Sequence, residues 1–162
     1  MSIQTLKPER QEAPAGHEPR RVPLIEPSGM VSIDPWWGTI QPQVLHPGIR
    51  TVGELEVIEH IDAGGRLIDT RQDHYVDETG TLPGSIAIPW EEITSHAYLF
   101  LADQPIVLFC NGPQCAATPR AVEKLLDAGV RPEAMLYYRG GLQDWMALGL
   151  PTGPPQRQVT GA

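Results

Sequence analysis

From about Ile49 onward the chain alternates short apolar runs with amphipathic stretches. Leu67-Ile68, Ile86-Ala87-Ile88, Ile106-Val107-Leu108-Phe109 and Met135-Leu136-Tyr137-Tyr138 are brief, continuous and bounded by turn formers, which predicts buried strands. Between them apolar residues recur at helical spacing. Leu55, Ile58 and Ile61 fall on one side of a predicted helix, which Thr51-Val52-Gly53-Glu54 opens as a capping box and Gly64-Gly65 closes. Ile93, Tyr98 and Leu99 are the candidate buried positions of a helix over 91–102. Val122, Leu125 and Leu126 form a stripe that Gly129 ends. Leu142, Trp145 and Met146 mark a last helix after Gly140-Gly141, closed by Gly149-Leu150-Pro151, with Trp145 in the core. Residues 72–80 read as a polar loop, and 81–85 as a turn. The alternation predicts an α/β fold: βα units around a mostly parallel central sheet with helices on both faces. Ligands of such sheets bind beyond the carboxyl ends of the strands. Asp69-Thr70-Arg71, Cys110 and Arg139-Gly140-Gly141 each follow a strand directly, so they are expected on one rim.

Upstream the pattern changes. Residues 1–21 are polar, Pro-rich and aperiodic, the signature of a disordered tail. Residues 22–48 are still punctuated by proline but carry Leu24, Ile25, Met30, Trp36, Trp37 and Ile40 among other apolar residues, too many for a free tail. They are expected to form an extended arm packed on the domain, with the two tryptophans docked. Whether the arm covers its own domain, meets a protein partner or pairs a homodimer stays open. The regular domain spans 49–152, and 153–162 form a polar tail.

A net charge of −8 argues against nucleic acid and anionic membrane surfaces as partners. It also requires any small anionic substrate to be attracted locally. No run approaches the ~18 apolar residues of a membrane span, and the N-terminal residues lack the apolar core of a secretory signal. A soluble, cytoplasmic protein is expected.

The chain has two cysteines, both in residues 105–120. The strand Ile106–Phe109 stops at Cys110. A loop of Asn111, Gly112, Pro113 and Gln114 leads to Cys115, then Ala116 and Ala117, and Thr118-Pro119 reads as a helix start with Thr118 as its N-cap. Backbone N–H groups of such a loop can converge on an anion, helped by the helix dipole. Residues 111–114 and 116–118 are therefore a candidate cradle for a thiolate or persulfide, with Cys110 as nucleophile. Cys115 has three readings: a resolving or sulfur-accepting thiol, the nucleophile itself, or a loop-packing residue. With no second cysteine pair and no histidine close in sequence, no metal is expected, and no cofactor either. Arg71 and Arg120 are the nearest candidate cations. A structural salt bridge around Asp69 is the favoured role for Arg71, and Arg120 falls in the first turn of the helix. Arg139 either reaches the rim or caps a strand turn. His74 and Tyr75 read as solvated surface.

Four of these groups occur in the order found in one family. Leu67-Ile68-Asp69-Thr70-Arg71 resembles the strand ending in Asp-x-Arg of the rhodanese-like, single-domain sulfurtransferases. Residues 80–89 resemble the family's Gly-His-Ile-Pro-Gly-Ala segment, residues 106–110 its cysteine-bearing strand, and Arg139-Gly140-Gly141, Trp145 and Gly149-Leu150-Pro151 its closing motif. The resemblance covers 49–152. It implies a sulfurtransferase that carries a sulfane sulfur as a Cys110 persulfide, from a small anionic donor such as thiosulfate or a low-molecular-weight persulfide to a thiol acceptor. The alternatives are a binding or redox-sensing module that switches through Cys110 and Cys115, and a Cys-dependent phosphatase or arsenate reductase. The loop departs from the common Cys-x-x-Gly-x-Arg-Ser form: it is longer, Cys115 stands at the arginine position, and Thr81 replaces the usual histidine.

Overall fold

The computed structural model describes residues 11–157. In chain order the strands are β1 (Leu24–Ile25), β2 (Val31–Ser32), β3 (Arg50–Thr51), β4 (Leu67–Asp69), β5 (Ile86–Ala87), β6 (Ile106–Phe109) and β7 (Met135–Tyr138). The α-helices are α1 (Glu54–Asp62), α2 (Asp73–Thr79), α3 (Ala117–Asp127) and α4 (Gly141–Ala147). The most continuous apolar run, β6, lies at the centre of a sheet ordered β3-β7-β6-β4-β5, in which every paired strand is parallel. Leu108 pairs with Ile68 on one side and Tyr137 on the other.

Alternation along β6 divides the core. Ile106 and Leu108 pack with Ala121, Val122 and Leu125 of α3 and with Ile93, Leu99 and Phe100. Val107 and Phe109 pack on the opposite face with Val57 of α1 and Leu142 and Trp145 of α4. A parallel strand buried on both faces has no polar side, which is why β6 reads as an unbroken apolar run. Trp145 is core as expected, and its indole N–H donates to the Pro151 carbonyl at 2.7 Å.

Several local expectations are corrected. Residues 73–79 are helix, not loop: Asp73 sits in the first turn, where the dipole favours it, and Val76 is fully buried. Helix α1 starts at Glu54 with Gly53 at the N-cap, whose N–H meets Glu56 Oε1 at 3.4 Å. Thr51 lies in β3 and donates its hydroxyl to the Gln43 carbonyl. Val57 takes the buried position in α1, and Leu55 is exposed. Residues Trp90–Leu101 wind as a 3₁₀ segment. Helix α3 begins at Ala117, so Thr118 is inside the helix and not its cap. Thr118 is completely buried, its hydroxyl 2.8 Å from Thr70 Oγ1.

Of the expected disordered tail, residues 1–10 lie outside the described residues, and the rest makes contacts from His17 onward. His17 Nε2 is 2.8 Å from Asp34 Oδ2, and the Arg20 N–H donates to the same oxygen at 2.6 Å. The arm then crosses the cysteine loop. The Gln41 N–H donates to the Pro113 carbonyl at 2.7 Å, and Gln114 Nε2 to the Pro35 carbonyl at 2.8 Å. At the other terminus, Gln156 exchanges backbone hydrogen bonds with Ser85 and Ala87, so the chain covers the open edge of β5. Residues 158–162 of the expected C-terminal tail lie outside the described residues.

Two tertiary contacts fix the rim. Arg71 grips the buried Asp69 through Nε (3.0 Å) and Nη2 (2.7 Å), and Thr81 donates its hydroxyl to Asp69 Oδ2 at 2.7 Å. At the start of α4, Gly141 has φ of +59°, and a Cβ there would lie 2.3 Å from the Cys110 carbonyl oxygen. Gly141→Ala therefore adds a steric clash to backbone strain and should cost about 3 kcal/mol or more. Gly129→Ala, at φ +89° with nothing within 4 Å, carries the strain alone, about 1 kcal/mol. Urea unfolding of the two variants checks the difference, and equal losses would show that the Cys110 carbonyl yields freely. Asp69→Asn leaves the buried Arg71 without its counter-charge and should cost about 3–5 kcal/mol in the same assay.

Candidate active site

The site is built where β6 runs out. The Cys110 carbonyl leaves the sheet and accepts the Leu142 N–H at 3.0 Å, and the Asn111 carbonyl accepts the Gln143 N–H at 2.8 Å. These two α4 N–H groups lack intrahelical partners, so the loop caps α4 while α4 pins the loop. Gly112 lies against Gln143, where a Cβ would come within 2.6 Å of Oε1. The Gly112 carbonyl then accepts the Cys115 N–H at 3.0 Å, closing a β-turn over Pro113 and Gln114. The turn folds the chain back so that Cys115 lies beside Cys110, whose Sγ is 3.6 Å from the Cys115 carbonyl oxygen.

The two thiols have different surroundings. Cys110 is 2% exposed. Burial pushes its pKa well up and neighbouring Cys115 pushes it further, against smaller opposing contributions from the Thr118 hydroxyl and N–H. The sequence-based expectation that the loop lowers the Cys110 pKa is thus reversed: the strand end is too deep for the loop amides to offset its desolvation. Cys115 is 7% exposed and faces a cavity. A hydrogen bond from Cys110 is the largest influence lowering its pKa; burial opposes it, and the N–H groups of Ala117 and Asn111 and the charge of Arg71 add to the lowering, leaving it at about 7. Of the expected amide cradle, the Asn111 and Ala117 N–H groups act on Cys115 and the Thr118 N–H acts on Cys110.

The cavity has a volume of about 370 Å³. Asn111, Gln114, Cys115, Ala116 and Ala117 form its floor, and Trp37 from the arm and Trp90 are among its walls. Gly112 and Pro113 shape the turn behind it, and Thr118 is buried beneath. Three arginines reach the cavity: Arg21, Arg71 and Arg120. Arg71 is 3% exposed and its donors are committed to Asp69, the Thr79 hydroxyl (3.0 Å) and the Gly80 carbonyl (2.9 Å), so the salt-bridge role holds. Arg120 is exposed, with its guanidinium 5.1 Å from the Trp90 ring centroid. Arg21 donates to the Tyr75 hydroxyl at 3.2 Å. Arg139 does not line the cavity; its Nη2 donates to the Gln41 carbonyl at 2.8 Å and so holds the arm. His74 is exposed. Among the described residues, no group of three or more His, Cys, Asp or Glu side chains could hold a metal ion, and no helix is long and apolar enough to cross a membrane.

Sequence reasoning missed Arg21, Trp37 and Trp90 as cavity groups, whereas Asn111, expected in the cradle, does line the cavity. Asn111 is 2% exposed, and its Oδ1 has no hydrogen-bond partner among the described residues. The tryptophan pair in the arm was a visible signal, but its destination depends on tertiary packing.

A family model for the rhodanese-like domain matches residues 55–148. Over 101 residues the chain is 32% identical to the HTH-type transcriptional regulator Rv0324 of Mycobacterium tuberculosis, covering 62% of this chain and 43% of that protein. The chain thus spans less than half the length of that relative. In structure it resembles a thiosulfate sulfurtransferase from Pseudomonas aeruginosa, with a TM-score of 0.56, 24% identity, and coverage of 70% of this chain and 22% of the other. It also resembles a possible tyrosine phosphatase from Rhodopseudomonas palustris, with a TM-score of 0.57, 20% identity, and coverage of 67% and 88%. At those identities the two structures establish a shared fold. The family match, which takes in more than half of the sequence and all of the cysteine loop, shows that the chain belongs to the rhodanese-like domain family.

Proposed function

We propose that the protein is a sulfurtransferase. It takes a sulfane sulfur from a small anionic donor, holds it as a persulfide on a thiol of the 110–118 loop, and passes it to a thiol acceptor. The family correspondence alone points to Cys110 for that thiol. The observation that carries the reading is a thiol, Cys115, lining a cavity of about 370 Å³ with arginines in its wall and a second thiol, Cys110, packed against its carbonyl. On a chain of net charge −8, such a cavity is where an anion would collect. The thiols are free, and such a site fits a reducing compartment such as the cytoplasm.

Of the alternatives, a thiol switch is favoured by the contact between the two cysteines, in which the Cys110 S–H donates to the Cys115 carbonyl at 3.6 Å. A phosphatase reading is disfavoured because no arginine stands between Cys110 and Thr118 to clamp an oxyanion in two-pronged fashion, and Arg71 is committed to Asp69.

Incubation with thiosulfate, glutathione persulfide or 3-mercaptopyruvate should add one sulfur to the intact mass, and cyanide should remove it as thiocyanate. No added sulfur from any of these donors would overturn the reading. Arg120→Ala should raise the donor KM about tenfold, the loss of one charge-assisted contact, with a smaller change in kcat.

A further inference from the structure

We propose that Cys115, and not the strand-end Cys110, is the thiol that attacks the donor and carries the sulfur, with Cys110 as the positioning residue whose S–H donates to the Cys115 carbonyl. The proposal rests on the sulfurtransferase reading and assigns its nucleophile.

Access separates the two cysteines first. Cys115 lines the cavity together with Asn111, Arg71 and Arg120, and Cys110 does not. Cys110 lies beneath the returning loop, with the Cys115 carbonyl oxygen 3.6 Å from its sulfur. A donor entering the cavity reaches Cys115 first and would have to displace the loop to reach Cys110. That loop is held from two sides. Its Cys110 and Asn111 carbonyls are bonded to α4, and Pro113 and Gln114 to the arm.

The hydrogen-bond donors point the same way. The N–H groups of Asn111 and Ala117 both act to lower the Cys115 pKa, Ala117 being the first residue of an 11-residue helix. Their dipoles favour negative charge there. The Cys110 S–H donates to the Cys115 carbonyl.

The chemistry closes without an outside oxidant. The Cys115 thiolate attacks the outer sulfur of thiosulfate, forming a new S–S bond. The bond from that sulfur to the sulfonate sulfur breaks, and sulfite leaves with the electron pair. With a low-molecular-weight persulfide the leaving group is the corresponding thiolate. An acceptor thiolate then attacks the outer sulfur of the Cys115 persulfide, and the Cys115 thiolate departs with its electron pair. Cys110 stays protonated throughout, its S–H on the carbonyl of the residue whose sulfur is first the attacking and finally the leaving group.

Two measurements on the full chain test the assignment. In the first, wild-type protein is loaded with thiosulfate or glutathione persulfide, its thiols are blocked with iodoacetamide, and fragmentation of the peptide holding both cysteines locates the extra sulfur. It should lie on Cys115. Cys110→Ser should still load, and Cys115→Ser should not. Extra sulfur on Cys110, or loading that survives Cys115→Ser and is lost in Cys110→Ser, overturns the proposal and leaves the sulfurtransferase reading intact. If both variants lose loading, the wild-type fragment map decides. If the wild type never loads, the sulfurtransferase reading falls. The second measurement is the iodoacetamide alkylation rate of each thiol against pH in the unloaded protein. Cys115 should react about tenfold or more faster than Cys110 at pH 7. Its rate should rise through a midpoint near 7, and Cys110→Ala should move that midpoint upward. Equal or faster alkylation of Cys110 overturns the assignment of the nucleophile independently of any donor. A midpoint unchanged in Cys110→Ala removes the positioning role.

Discussion

The site depends on the close approach of Gly141 to the Cys110 carbonyl. A parallel strand would normally keep its last carbonyls in the sheet. Here β6 gives up its ladder at Cys110 and turns that carbonyl onto the first N–H groups of α4. A side chain at position 141 would occupy the space that the carbonyl needs. With the carbonyls of 110 and 111 committed to α4, the loop beyond them turns back toward the sheet. The turn closed by the Cys115 N–H on the Gly112 carbonyl then brings Cys115 back beside Cys110. One backbone contact between the end of a strand and the start of a helix thus sets the positions of both thiols.

The electrostatics of the site are short-ranged. Arg71 is the best-buried cation at the cavity, yet it is the last and weakest of the influences lowering the Cys115 pKa. Asp69 explains this, because its carboxylate takes two sides of the guanidinium and cancels most of its field at a distance. The influences that lower that pKa most are short-ranged hydrogen bonds, which salt screens little. Arg21 and Arg120 lie farther out, beside Tyr75 and Trp90. They can attract an anion into the cavity without being part of the thiolate's immediate surroundings. Under the proposed function, attraction of the donor and activation of the nucleophile fall to different residues, which would let an acidic protein hold an anion in this cavity.

The sheet was legible in the sequence because buried parallel strands leave continuous apolar runs, and β4, β6 and β7 stand where those runs lie. Helix α2 was not legible. It buries only Val76, and one apolar residue in seven has no periodicity to read. The start of α1 was misread because Thr51 is drawn into β3 by its pairing with Tyr137, a contact distant in sequence. At the site, the rim was legible: Asp69, Arg71 and Cys110 follow strands, and both cysteines fall in the loop that leads to α3. What the sequence could not convey was which thiol lies above the other. That depends on a turn closed by the Gly112 carbonyl and on a clamp from α4, and neither leaves a pattern at positions 110 and 115.

The arm belongs to the site as much as the loop does. Trp37 is one of the cavity walls, and a Cβ at Gly38 would sit 2.2 Å from the Gln114 carbonyl oxygen, so the two backbones meet with no room for a side chain. Gln41 gives its N–H to Pro113 and its carbonyl to Arg139, bridging the loop to the end of β7. Arg139 therefore acts on the cavity through backbone that it holds in place and not through its own charge. His17 and Arg20 fix Asp34, whose Oδ1 in turn accepts the Trp36 N–H at 2.9 Å, so the arm's entry to the cavity is ordered from its own N-terminal side. The lengthened cysteine loop and the arm are complementary. Extra residues in the loop raise Pro113 and Gln114 out of the domain, and the arm supplies the carbonyls and N–H groups that those residues need once they leave it.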